Sequence, residues 1–210
     1  MVRRELFTAV VGDVMDWQKL RRQFLPPQVK PLVPEMVLIG RAMTALYADA
    51  YEEDPQQPYG LMLQALDDLK PNEVYVCSGG SSRGALWGEL MSDRALKCGA
   101  VGAVVNGYSR DTRALTAMGF PTFSRGGYAQ GLWPRGRVVD LRVPIEMEGA
   151  RIVSGDVIFG DLDGVCVIPR EHEHMIFMLA FEKARKERVA KRDIEAGMSA
   201  VEVFKKHGFV

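Results

Sequence analysis

Apolar side chains recur at Leu6, Val10, Val14, Trp17 and Leu20, a spacing of three to four residues that predicts an amphipathic helix over 5–22. The proline-rich stretch FLPPQVKPLVPEM then breaks the pattern and crosses to the next element. MVLIGRAMTALY (36–47) reads as a strand, with Gly40 marking a bulge. YGLMLQALDDL (59–69) returns to helical spacing. Between 73 and 125 short apolar runs alternate with helical patterns: EVYVCS, the helix ELMSDRALKCG, AVGAVVNG, the helix RDTRALTAMG and FPTFSR. Strands alternating with helices at this spacing predict a parallel sheet joined by right-handed crossovers. From 137 to 168 the helices drop out. RVVDLRVPIEM, RIVSGDVIFGD and GVCVIP are joined by turns alone and predict an antiparallel β section. A charged helix over 171–196 follows, ended by Gly197. The expected architecture is a layered β/β/α fold: a parallel α/β unit, an antiparallel section and a long C-terminal helix.

The length, 210 residues, suits a single domain spanning 1–210, with 171–210 as a helical extension that packs on a neighbouring subunit. Lys+Arg and Asp+Glu balance at 27 each, which lends no general electrostatic support to a nucleic-acid surface or an acidic tail. No run of about eighteen apolar residues is present, so no membrane span is expected. The N-terminus is basic but has no unbroken apolar region and does not read as a signal peptide. Cys77, Cys98 and Cys166 are widely spaced and form no CxxC pair; they read as reduced thiols of a cytoplasmic protein.

Candidate chemistry gathers at two strand ends. GGSSRGALWG (79–88) lies between a strand and a helix, where backbone N–H groups can meet an anion, or where the chain simply turns. It is neither a P-loop nor a GxGxxG fingerprint. With the helix starting near Gly88, the N–H groups of Glu89, Leu90 and Met91 are left over. Arg110-Asp111 ends the next strand, and open α/β sheets bind ligands at such ends. The pair reads in two ways. One is a solvated turn whose aspartate favours its own helix N-terminus. The other is a guanidinium clamp for a carboxylate beside a hard oxygen donor suited to Mg²⁺. Asp156, Asp161 and Asp163 fit turns in a β meander better than a calcium loop. His172 and His174, two apart, face different sides of a helix, and Trp87 reads as packing. No nucleophile–base arrangement of the Ser/His/Asp or Cys/His kind is recognisable.

Taken together, Gly88-Glu89-Leu90-Met91, Arg110-Asp111 about twenty residues later, and Gly-Asp-x-Asp-Gly-Val-x-Val-Ile-Pro at 160–169 resemble one superfamily. It joins the regulator of ribonuclease activity A proteins with the class II 4-hydroxy-4-methyl-2-oxoglutarate aldolases. PLVPEMVLIGRAMTAL resembles the family's early strand, and the likeness runs from about residue 8 to 196. The Arg-Asp pair places the chain with the aldolase branch, since the regulator branch lacks the aspartate. The resemblance implies a swivelling-domain-like fold and a lyase that cleaves 4-hydroxy-2-oxo acids to pyruvate and decarboxylates oxaloacetate. It implies Asp111 as ligand to Mg²⁺ or Mn²⁺, and Arg110 with Gly88, Leu90 and Met91 around the pyruvyl group of a small 2-oxo acid. Glu89 stands where the family has an acidic residue that holds water on the metal. Glu187, or failing that Glu182, stands for a glutamate from the adjacent subunit of a homotrimer or hexamer. Asn106 departs from an aspartate found before the glycine in many relatives. The alternatives are a non-catalytic regulator that binds a ribonuclease assembly and, less supported, a methyltransferase.

Overall fold

The computed structural model describes residues 5–81 and 84–208. The basic opening residues 1–4, and Ser82 and Arg83 of the glycine-rich loop, lie outside the described residues, as do 209–210. The described elements, in chain order, are α1 (Thr8–Trp17), β1 (Lys30–Pro31), β2 (Leu38–Asp49), α2 (Met62–Asp67), β3 (Glu73–Gly79), β4 (Ala85–Trp87), α3 (Glu89–Lys97), β5 (Gly102–Val105) and β6 (Tyr108–Ser109). They continue with α4 (Thr112–Met118), β7 (Thr122–Ser124), β8 (Gly136–Leu141), β9 (Ile145–Met147), β10 (Ala150–Ile152), β11 (Val157–Asp161), β12 (Gly164–Ile168), α5 (Glu173–Glu195) and α6 (Ala200–His207).

One eight-stranded sheet organises the molecule, in the order β1-β7-β5-β3-β2-β11-β12 with β8 also on β2. β3, β5 and β7 are parallel neighbours, the unit expected from the alternating pattern, and β2 adds to it in parallel on β3. β2, at twelve residues, changes partners along its length: Leu38–Arg41 pair with β11 and Ala45–Asp49 with β8, both antiparallel. The two ends of the sheet approach each other. Lys30 in β1 donates to the carbonyls of Leu162 and Asp163 in the β11–β12 turn, and Leu25 N–H donates to Val165. The sheet is therefore nearly closed, which shelters edges that would otherwise invite pairing.

Apolar side chains fill three regions. Met43, Tyr75, Trp87 and Phe120 pack under α2, α3 and α4. Val74, Val104, Phe123 and Ile158 fill the sheet interior. Val11, Met15, Phe159 and Ile176 join α1 and α5 to the β11–β12 hairpin. Asp161 takes both the N–H and the hydroxyl of Thr8, at 2.7 Å each, and also the N–H of Asp163; Asp156 takes the N–H groups of Val153 and Arg170. Asp156 and Asp161 thus serve turns, as the meander reading expected, and Asp161 also holds the start of α1.

Several boundaries differ from the sequence reading. Gly40 is not a bulge: it pairs in register with Ile158 of β11, and the irregularity falls at Leu46/Tyr47 opposite β8. Gly40 is instead a close approach, where a Cβ would meet the Asn72 carbonyl oxygen at 2.7 Å. The run 137–147 is split at Arg142, whose φ of 56° breaks the strand. A further helix, α6, follows Gly197, opened by a capping box in which Ser199 and Glu202 satisfy each other's backbone N–H. Among the described residues, no helix is long and apolar enough to cross a membrane.

Candidate active site

β4 and β6 bring the two strand-end motifs together. Both are short and they pair in parallel; Arg110 N–H donates to the Trp87 carbonyl at 2.9 Å, which sets Arg110-Asp111 beside the start of α3. Trp87 anchors this arrangement from below. It is 1% exposed, stacks near Tyr75 and Phe120, and gives its indole N–H to Ser92 Oγ at 2.7 Å. It is a packing residue, as its position suggested.

The orientation of Asp111 decides between the two readings of the pair. It precedes α4 but sits at φ 57° and ψ 34°, in the left-handed region, and its side chain makes no cap to that helix. A non-glycine residue there costs about 1–3 kcal/mol, although aspartate tolerates it better than most. The carboxylate turns instead to α3, where Oδ2 accepts from Glu89 N–H at 3.3 Å. Arg110 Nε lies 3.6 Å from the same oxygen. Both side chains are about half exposed, so neither is committed to a buried ion pair. Asp111 thus stands at the start of α4, its backbone carbonyl accepting from Ala114 and Leu115, while its carboxylate serves the N-terminus of α3.

Gly88 is the N-cap of α3, in extended backbone at φ −168°. Any residue could adopt that conformation; what excludes a side chain is space, since a Cβ would lie 2.8 Å from Asp111 Oδ2. The first intrahelical bond runs from Ser92 N–H to Gly88 O, so the N–H groups of Leu90 and Met91 have no carbonyl within the helix to take them. Gly88, Glu89, Leu90, Met91, Arg110 and Asp111 all line one open cleft of about 730 Å³. The structure brings these six together.

Glu187 and Glu182 do not line that cleft in their own chain. Glu187 is bonded to Lys183, which also meets Asp13 at 3.1 Å and thereby joins α5 to α1. Glu182 pairs with Lys186 at 2.6 Å on an exposed face, and that ammonium holds its carboxyl below the usual range. Asn106 accepts from Arg125 and donates to Ser78 Oγ, so it is a bridging amide between strand ends. Burial pushes the Cys77 thiol up to about 12 and also raises Cys166, leaving both as protonated packing groups.

The far wall of the cleft was not assigned from sequence. Tyr59, Met62, Leu63 and Leu66 face it, together with Leu132 and Trp133. The first four follow the i, i+3, i+4, i+7 rule, so the signal was present as one helical stripe. The segment 131–133 carries no such periodicity.

No group of three or more His, Cys, Asp or Glu suited to a metal occurs among the described residues. An all-protein cage for zinc or calcium is thus not built here. A single carboxylate with a second nearby does suit Mg²⁺, which keeps several waters and takes one or two carboxylates plus substrate oxygens. Asp111 and Glu89 fit that description.

The RraA-like family (Aldolase/RraA) matches residues 8–167. A protein of Halalkalibacterium halodurans named "Putative 4-hydroxy-4-methyl-2-oxoglutarate aldolase" is 30% identical over 202 residues, covering 96% of this chain and 90% of that one. An uncharacterized Pseudomonas syringae protein of known structure superposes with a TM-score of 0.85 at 25% identity, over 97% of this chain and 91% of the other. Streptomyces coelicolor RraAS2, described as an unusual member of the RNase ES inhibitor RraA protein family, shares the fold, with a TM-score of 0.80 at 22% identity, over 91% of this chain and 94% of that one. With the family matching more than half of the residues and a relative this similar along nearly the whole length, the chain belongs to the RraA-like family.

Proposed function

We propose that this chain is a divalent-metal-dependent carbon–carbon lyase. It cleaves 4-hydroxy-2-oxo acids to pyruvate and a second oxo compound, and decarboxylates oxaloacetate through the same enolate. The observation that carries this reading is the Asp111 carboxylate, turned away from its own helix and held beside Arg110 at the N-terminus of α3. A regulator that only docks on a partner needs no such strained carboxylate.

Arg110 grips the substrate's carboxylate with its planar fork and leaves positive charge where the enolate oxygen develops. The N–H groups of Leu90 and Met91 and the positive end of α3 add fixed donors on the same side. Asp111 would hold Mg²⁺ or Mn²⁺, with Glu89 holding water beside it, and the metal would supply Lewis acidity to the 2-oxo oxygen. Glu89 orients a water that takes the 4-hydroxyl proton. The C3–C4 bond then breaks, its electron pair enters the enolate, and protonation at C3 yields pyruvate. No lysine lines the cleft among the described residues, so nothing there supports a Schiff base.

The test is pyruvate release from 4-hydroxy-2-oxo acids and oxaloacetate, measured above the protein-free rate with Mg²⁺ or Mn²⁺ and with chelator. Chelator and Asp111→Asn are both expected to abolish release while the circular dichroism spectrum is kept. Full oxaloacetate decarboxylation by folded Asp111→Asn in chelator would overturn the metal chemistry. A folded wild-type protein that releases pyruvate from nothing would leave the non-catalytic, ribonuclease-binding regulator.

A further inference from the structure

The cleft combines a cluster of reacting polar groups with a broad apolar wall. Arg110, Asp111, Glu89 and the start of α3 form the cluster, and the wall is built of Tyr59, Met62, Leu63, Leu132 and Trp133. Two arginines, Arg110 and Arg94, face the cleft among its described residues. Arg110 lies 3.6 Å from Asp111 and is the clamp for the 2-oxo acid's own carboxylate. Arg94 is bound to Asp67 through Nε at 2.7 Å, and Asp67 itself lines the cleft. Three carboxylates (Asp67, Glu89, Asp111) thus stand against two guanidiniums. A second carboxylate on the substrate would lie along these apolar side chains and lose water.

We propose that this chain acts on 4-hydroxy-2-oxo acids whose C4 substituent is apolar, alkyl or aryl, in preference to those carrying a second carboxylate. This rests on the lyase reading above and narrows it. The C3–C4 bond breaks as before: its electrons pass to the pyruvate enolate, the 4-hydroxyl proton leaves to the Glu89-held water, and the C4 fragment departs as a neutral aldehyde or ketone. The apolar wall accepts that fragment. Leu63 and Trp133 are 56% and 45% exposed, so they can cover a substituent without opening the core. The wall also points to the class of reaction that supplies the substrate, one that builds a 2-oxo acid on a hydrocarbon chain or ring.

The experiment compares kcat/KM for pyruvate release by the full chain with Mg²⁺ on 4-hydroxy-2-oxohexanoate, 4-hydroxy-2-oxo-5-phenylpentanoate and 4-hydroxy-4-methyl-2-oxoglutarate, with oxaloacetate as a report on enolate chemistry. The two apolar substrates are expected to exceed the dicarboxylate by at least about tenfold, the range in which apolar pockets discriminate. Leu63→Arg, a change at an exposed position, is expected to move the ratio toward the dicarboxylate by about tenfold. A dicarboxylate turned over as well as or better than both apolar substrates, or a ratio unmoved by Leu63→Arg, overturns the apolar subsite and leaves the lyase reading standing. Absence of pyruvate from all four substrates overturns the lyase reading, and this inference with it.

Discussion

At the scale of single residues the site depends on one crowded contact. Gly88 leaves just enough room for the Asp111 carboxylate, and a Cβ there would come within 2.8 Å of Oδ2. Because Gly88 is extended, alanine adds no backbone strain. Gly88→Ala should therefore shift Asp111 without unfolding the chain. We expect kcat/KM for oxaloacetate to fall by up to about 100-fold, the usual cost of misplacing a reacting group. The melting temperature should move by no more than a few degrees. Thermal melts and pyruvate assays on the same preparation check this. Arg110→Lys keeps the charge and loses the planar fork. It should raise KM and lower kcat together, by roughly 10–100-fold in kcat/KM. A change confined to KM would make Arg110 a uniform binding contact, not a transition-state stabiliser.

At the scale of elements, a network around Arg142 fastens the helical layer to the sheet. From the left-handed break between β8 and β9, its guanidinium donates to both oxygens of Glu73 (2.8 and 2.9 Å), to the Asp68 carbonyl and to the Asp68 carboxylate. Glu73 opens β3, and Asp68 ends α2, the helix that carries the apolar wall of the cleft. Arg142→Ala strands the mostly buried Glu73 carboxylate and should cost about 2–4 kcal/mol in urea unfolding. The pH dependence has a definite sign. The Arg142 hydrogen bond holds the Asp68 carboxyl below its usual value. That contribution is present above the unfolded carboxylate pKa of about 4 and is lost as pH falls through the lower, folded value. The stability gap between wild type and Arg142→Ala should narrow as pH is taken below about 4.

At the scale of the whole molecule, one chain supplies a clamp, one carboxylate ligand and a second carboxylate, in a cleft open enough to leave Leu90 80% exposed. In the homotrimer or hexamer we propose for this chain, groups from a neighbouring subunit would close it. Dilution that dissociates the assembly should remove activity even though Asp111 and Arg110 remain. Sedimentation and pyruvate release over one dilution series test this, and a fully active monomer would show the site to be complete within one chain. Glu187→Gln should weaken Mg²⁺ affinity roughly 10–100-fold if that glutamate orients water in a neighbour's site. Its bond to Lys183 gives a built-in control, since Lys183 keeps Asp13 and the α1–α5 packing should survive.

The sequence by itself determined the elements whose signals are local. Alternating apolar runs marked β3, β5 and β7 as parallel strands with helices between, and the period change near 137 marked the antiparallel section. Gly88-Glu89-Leu90-Met91 and Arg110-Asp111 were legible because motif and strand end coincide. The Ser199–Glu202 capping box was equally local, and α6 could have been read from it. What only the tertiary structure decided depends on pairings far apart in the chain. The β4–β6 contact that joins the two motifs involves strands of three and two residues, too short for any periodicity to announce. The turn of Asp111 away from its own helix follows from a left-handed φ and an N–H donor twenty-two residues upstream, and no neighbour in sequence specifies either. The apolar stripe of α2 was visible as a stripe. Its role as a substrate wall appears only where α2, α3 and segment 131–133 converge, because a helix's apolar face does not state what it faces.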